Sequence, residues 1–281
     1  MNTPKNPYQA AITFIGGGNM AQALISGLLA KGYSAKQLHV AEPNTEKRQA
    51  FADNGVQTYD SSDPQNTAQA INKGDVVILA VKPQVIAEVL TPLKSQWHNQ
   101  LVISILAGTS TQTLEKLLGK NTRLVRAMPN TPAMIQMGAT GLYATPQVSE
   151  AQKQQAEAIM QAVGLALWVE NEDLLHAVTA VSGSAPAYFF YLLEYMIATA
   201  ESMGLDNTQA TALAMQTAVG STQIALTSHE TPAELRKKVT SPNGTTQAAI
   251  EVMDAQHMGD TIAQAMQACV QRSMALSGTK S

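Results

Sequence analysis

The chain has 281 residues, a formal net charge of -3, 45% hydrophobic and 14% charged residues. That length admits one or two domains with a sizeable core, and the mild acidity excludes the basic surface of a nucleic-acid binder. The only cysteine, Cys269, rules out an intrachain disulfide, points to a reducing compartment, and reads most simply as a small buried hydrophobe.

Met1 to Gln9 is polar, contains proline and lacks the apolar stretch of a signal peptide before it leads into a strand, so export is not expected. Apolar runs elsewhere are broken by Gln, Thr, Ser or a charge before they reach membrane-spanning length. A cytoplasmic protein with no membrane or nucleic-acid partner is the expectation.

From residue 11 to about residue 169, β-type runs at 11–16, 38–41, 76–81, 101–105 and 124–127 alternate with amphipathic segments. Val76-Val77-Ile78-Leu79-Ala80-Val81 is apolar at every position, as in a strand covered on both faces. This rhythm predicts an α/β fold, a doubly wound parallel sheet over residues 1–170. Beyond residue 170 the β-type runs stop, and helical patterns rich in Ala, Leu, Met and Gln occupy 173–181, 186–203, 207–227 and 258–276. An all-helical second domain over residues 171–281 follows. Its broad apolar stripes exceed what a small domain buries alone, which predicts an intertwined homodimer.

Ile12-Thr13-Phe14-Ile15-Gly16-Gly17-Gly18-Asn19-Met20-Ala21 combines a strand, a tight turn and a helix start in the pattern G-x-G-x-x-A. Gly16 permits the turn, Gly18 lets backbone approach a phosphate, and Ala21 allows close helix packing. Free N–H groups and the positive helix end then face a pyrophosphate. A nicotinamide dinucleotide is the expected ligand, with Ile15, Gly16, Gly17, Gly18, Asn19 and Met20 around it.

The second strand ends at Glu42, where a carboxylate would grip the 2′-hydroxyl of NAD and repel the 2′-phosphate of NADP. Asn44, Thr45, Lys47 and Arg48 follow, and that loop could hold a phosphate instead, or Lys47 and Arg48 could be a solvated helix face. On these residues the choice between NADP(H) and NAD(H) stays open. Ala80-Val81-Lys82-Pro83 closes the next apolar strand, at the end that lines a cofactor crevice. Ser104 to Gly108 and Met128 to Pro132 end later strands and border its nicotinamide side.

No lysine or arginine occurs between Lys153 and Arg236, so an anionic substrate in the helical half must be gripped mostly without a cation. Ser241-Pro242-Asn243-Gly244-Thr245-Thr246 opens a helix. The N–H groups of Gly244, Thr245 and Thr246, with the Ser241 hydroxyl, would cradle a carboxylate; a plain N-cap after a turn is the other reading. Ser182 to Tyr188 is a second small-residue turn, open to close approach by either a helix or a ligand. The five histidines show no metal-ligand spacing, and no nucleophile elbow supports a hydrolase.

Five segments together resemble the pyrroline-5-carboxylate reductase family: Phe14 to Ala21, Ala80 to Gln84, Arg126 to Ala133, Val181 to Tyr188 and Val239 to Thr246. The resemblance covers nearly the whole chain. It implies a Rossmann-type domain followed by an all-α dimerisation domain, with dimers joined into a larger ring in many members. The implied reaction is reduction of 1-pyrroline-5-carboxylate to L-proline by NAD(P)H, on a C=N bond. It also implies carboxylate binding by Ser241, Gly244, Thr245 and Thr246, and a hydrogen bond from Thr246 to the ring nitrogen, which makes Thr246 the candidate catalytic residue. Two positions depart from the pattern: Asn243-Gly244 replaces the usual Gly-Gly, and Glu42 stands where relatives more often carry a small or polar residue. β-Hydroxyacid dehydrogenases share such halves but need a lysine in the helix at 186–203, which has none. A decayed site in a sensor protein is the non-enzymatic alternative.

Overall fold

The computed structural model describes residues 10–278; the polar stretch Met1 to Gln9 lies outside the described residues. Eight strands form one sheet in the order β3-β2-β1-β4-β5-β6-β7-β8. They are β1 (Ile12–Ile15), β2 (Leu38–Ala41), β3 (Gln57–Tyr59), β4 (Val76–Leu79), β5 (Leu101–Ser104), β6 (Arg123–Met128), β7 (Gly138–Ala144) and β8 (Gly164–Trp168). The first six run parallel, β7 is antiparallel to β6, and β8 runs parallel to β7. The chain order reverses at the β1/β4 pair, the place where doubly wound sheets open a ligand crevice.

Helices α1 (Asn19–Ala30), α2 (Thr45–Ala52), α3 (Pro64–Ile71), α4 (Ile86–Leu90), α5 (Thr111–Leu118) and α6 (Glu150–Gln161) connect the strands. Because strand side chains alternate between faces, the apolar strands feed two core layers. Ile12, Phe14, Val40, Ile78 and Ile103 join Leu24, Leu28 and Ile159 in one. Ile15, Val77, Leu79 and Val102 join Ile71, Leu90 and Leu114 in the other.

The remaining helices are α7 (Leu174–Val178), α8 (Ala185–Ser202), α9 (Asn207–Thr227), α10 (Pro232–Lys238), α11 (Thr245–Ala255) and α12 (Met258–Ser277), and a π-helical turn over Thr179–Gly183 separates α7 from α8. Two compact units result. One runs through Ser184 and takes the chain again from Cys269; the other spans Ala185–Ala268. By packing, this boundary lies past residues 170/171, for two reasons. A Cβ at Gly141 would meet Val178 of α7 at 2.6 Å, so α7 lies directly on β7. The His176 Nδ1 and the Ser273 hydroxyl, both buried, are hydrogen-bonded at 2.8 Å, and this fixes the last turns of α12 to the sheet-bearing unit.

The unit Ala185–Ala268 has almost no interior of its own. Only Ala185, Ala210 and Ala214 are buried there, while Phe189, Phe190, Tyr191, Leu213 and Val219 are exposed. Such a surface is the signature of a fold completed by association. Among the described residues no helix is long and apolar enough to cross a membrane.

Candidate active site

Gly16 follows β1 with φ 102° and donates its N–H to the Ala41 carbonyl at 2.9 Å. A Cβ there would lie 2.7 Å from the Ala80 carbonyl oxygen, and one at Gly17 2.7 Å from the Phe51 ring. Those two glycines are demanded by the fold itself. Gly18 differs: its backbone is ordinary extended, φ -71°, and a Cβ would meet nothing closer than 3.9 Å. What glycine supplies at position 18 is room.

That room lies at the start of α1, whose N-cap, Gly18, makes no side-chain cap and whose first turn carries no acid. Uncapped N–H groups at a helix N-terminus hold anions well. The opening belongs to a cavity of about 470 Å³ lined by Ile15, Gly16, Gly17, Gly18, Ala80, Val81, Lys82 and Glu42. Asn19 and Met20 form the first turn of α1, and Pro83 begins the short 3-10 turn after Lys82. The residues present therefore fit the pyrophosphate of a dinucleotide, with the carboxyl ends of β1 and β4 on either side. Ser104 and Met128 end β5 and β6, the next strands along the same edge.

Glu42 is buried, and its carboxylate accepts N–H groups from Gly17 at 2.7 Å and from Asn44 at 3.1 Å. The expected phosphate-holding loop keeps only one of its two cations. Arg48 donates to the Glu42 and Pro43 carbonyls at 2.8 and 2.6 Å and pairs with Asp60 at 3.1 Å. It braces the loop and is spent there. Lys47 lines the cavity. Sequence reasoning missed the far wall, Ser61, Ser62, Pro64 and Thr67, because the three-residue strand β3 that delivers it, Gln-Thr-Tyr, is too short and polar to read as a strand.

The second candidate feature is built the same way. Asn243 takes φ 57°, a left-handed conformation that asparagine tolerates, and α11 begins after the uncapped N-cap Gly244, with no acid in its first turn. One expected donor is removed: the Gly244 N–H is bonded to the Ser241 carbonyl at 3.0 Å. The same turn explains the glycine, since a Cβ at 244 would press on that carbonyl at 3.0 Å. Thr245, Thr246 and Gln247 are left with the first-turn N–H groups. Gln247 was not foreseen, and its side chain holds the loop by accepting the Asn243 N–H at 2.8 Å while donating to Glu251 at 2.7 Å.

The Ser182 turn has a packing explanation. A Cβ at Gly183 would strike Met128 Cε at 2.6 Å, and Asn130 bridges the segment, donating to the Ser182 carbonyl at 3.1 Å and accepting from Ala139 N–H at 2.8 Å. Below it, Arg126 pairs with Glu172 at 2.6 Å. Glu172 also accepts the Thr111 N–H at 2.7 Å and the Thr111 hydroxyl. Burial and the neighbouring Arg126 hold the His176 pKa below the usual histidine value.

Two family models match: one described as pyrroline-5-carboxylate reductase dimerisation over residues 172–276, the other as NADP oxidoreductase coenzyme F420-dependent over residues 11–108. A pyrroline-5-carboxylate reductase of Pseudomonas aeruginosa is 46% identical over 277 residues, covering 98% of each chain. The chain belongs to the pyrroline-5-carboxylate reductase family. A solved member from Coxiella burnetii superposes with a TM-score of 0.89 at 42% identity, over 95% of this chain and 98% of that one. The Plasmodium falciparum structure, with NADP bound, shares the fold at a TM-score of 0.86 and 24% identity, over 96% and 99%. Membership makes the helical half a dimerisation domain and the protein a homo-oligomer.

Proposed function

We propose that this chain reduces 1-pyrroline-5-carboxylate to L-proline, the last step of proline biosynthesis, with NADP(H) as hydride donor. The observation that carries the reading is a matched pair of open helix N-termini, α1 behind Gly18 and α11 behind Gly244, neither capped by a side chain. Each suits an anion: a pyrophosphate at the first and a carboxylate at the second.

The bound dinucleotide supplies a hydride from C4 of its nicotinamide. Ile15 to Met20 with Ala80 to Pro83 hold it, and Lys47 is the cation open to a 2′-phosphate. Ser241, Thr245 and Thr246 grip the substrate carboxylate through hydroxyl and N–H groups. The Thr246 hydroxyl hydrogen-bonds the ring nitrogen, orienting the imine and helping to deliver the proton that makes it an iminium ion before C5 would take the hydride. A protonated cyclic imine is already electrophilic, so positioning supplies most of the catalysis. Dimers join into a larger ring, and the protein works in the cytoplasm.

The test is the oxidation of NADPH and NADH with and without added 1-pyrroline-5-carboxylate. Substrate-dependent oxidation with proline as product is expected; no oxidation of either cofactor would end this reading.

A further inference from the structure

The two edges of the sheet differ. β3 is three residues long, polar, and exposed at Gln57, one of the ways proteins blunt an edge. β8 is Gly-Leu-Ala-Leu-Trp, without charge or proline, and pairs with β7 alone. Leu165 and Leu167 are 56% and 58% exposed.

Their direction is fixed by register. Leu167 lies beside Gly141 and Leu165 beside Ala139 in a parallel pair, so both leave the sheet on the side of Gly141 that Val178 of α7 covers. Leu174 lies on that face one turn before Val178 in α7 and is 41% exposed, and Val181, in the π-helical turn that follows, is 62% exposed. A sheet edge and a helix thus share one apolar face. Single exposed leucines are ordinary; an apolar face beside an unguarded edge strand is a surface that gets covered.

We propose that a second copy of this chain seats on this face, so that the subunit interface reaches beyond the helical half onto β8. The occupant follows from continuity. Leu174 and Val181 lie inside residues 172–276, which match the dimerisation model, and β8 immediately precedes that stretch. No lysine or arginine from 154 to 235 offers a grip to an acidic partner or an anionic lipid surface. In a two-fold assembly the same patch is buried twice, which doubles the effect of each substitution.

The proposal rests on the homo-oligomer, and the experiment separates the two. Leu165→Glu/Leu167→Glu places charges on side chains already exposed in the single chain, so the subunit fold should persist by circular dichroism. In sedimentation velocity the wild type is expected to be assembled and the variant to dissociate at least about 100-fold more readily. Gln57→Glu on the opposite edge should leave assembly unchanged. A folded double variant that assembles like wild type overturns the proposal, whereas a monomeric wild type overturns the homo-oligomer itself. Should the variant not fold, hydrogen exchange on the wild type decides. Amides of residues 164–168 should exchange faster on dilution; exchange there that ignores concentration while α9 responds overturns the proposal.

Discussion

The Glu42 carboxylate accepts the Gly17 N–H at 2.7 Å, tying the acidic end of β2 to the glycine turn after β1. A buried carboxylate in that place also opposes a 2′-phosphate. Glu42→Gln keeps an acceptor for Gly17 and removes the charge. The ratio of kcat/KM for NADPH over NADH should rise about 10-fold, equivalent to about 1.4 kcal/mol, as read by steady-state rates with each cofactor. An unchanged ratio would show that Glu42 serves the turn alone.

The three glycines should separate into two behaviours. Gly16→Ala strains a left-handed backbone and drives a methyl into the Ala80 carbonyl, so urea unfolding should show a loss of about 3 kcal/mol. Gly18→Ala should change stability by less than about 0.5 kcal/mol while raising the NADPH Kd about 10-fold or more, measured by calorimetric titration. A large stability loss at Gly18 would contradict the room described there.

Thr246→Ala should lower kcat by about 100-fold and leave the NADPH Kd unchanged. Thr246→Ser, which restores the hydroxyl, should recover most of the rate. Turnover equal to wild type in the alanine variant would remove Thr246 from the reaction.

Arg126→Met strands the Glu172 carboxylate, which then keeps only its Thr111 donors. Breaking a largely buried pair from one side costs about 3 kcal/mol. Urea unfolding should show that loss, and a change below the error of the midpoint would mean that water already carries the interaction.

Stability should fall in mild acid. The folded-state pKa of His176 is depressed by burial and then by Arg126, and that of His39 by burial and then by Lys73. The unfolded chain therefore takes up protons first as pH drops below about 6.5. Their contribution is fully present above that pH and is lost on the way down through the folded-state values. Melting temperatures recorded from about pH 8 to about pH 5.5 should show this slope, and His176→Gln should flatten it; an equal slope in the variant would assign it elsewhere.

The sequence was legible where one face pattern dominates. Val76 to Leu79 reads as a buried strand because every side chain is apolar, and α9 is bounded by Asp206, whose side chain accepts the Gln209 N–H in a capping box. β7 and β8 escaped notice because Gly138-Ala139-Thr140-Gly141 and Gly164 dilute any β-type pattern; the glycines are there for neighbours, Val178 against Gly141 and the backbone of Gly138 against Gly164. At the sites, the glycine turn was visible as a local motif. The spending of Arg48 on two carbonyls and Asp60, and of the Gly244 N–H on Ser241, was not, because both depend on where the chain returns.

The return of α12 to the sheet-bearing unit has a consequence for synthesis. Leu276 touches Gly108, where a Cβ would lie 2.9 Å from it, and Ser273 closes on His176. The nucleotide-binding unit is thus interrupted in sequence by the helical one and cannot finish packing until the ribosome has translated past Leu276. Nascent chains stalled before that point lack the Ser273 bond to His176 and the Leu276 approach to Gly108. Shortening α12 is therefore expected to weaken the sheet-bearing unit as well as the helical one.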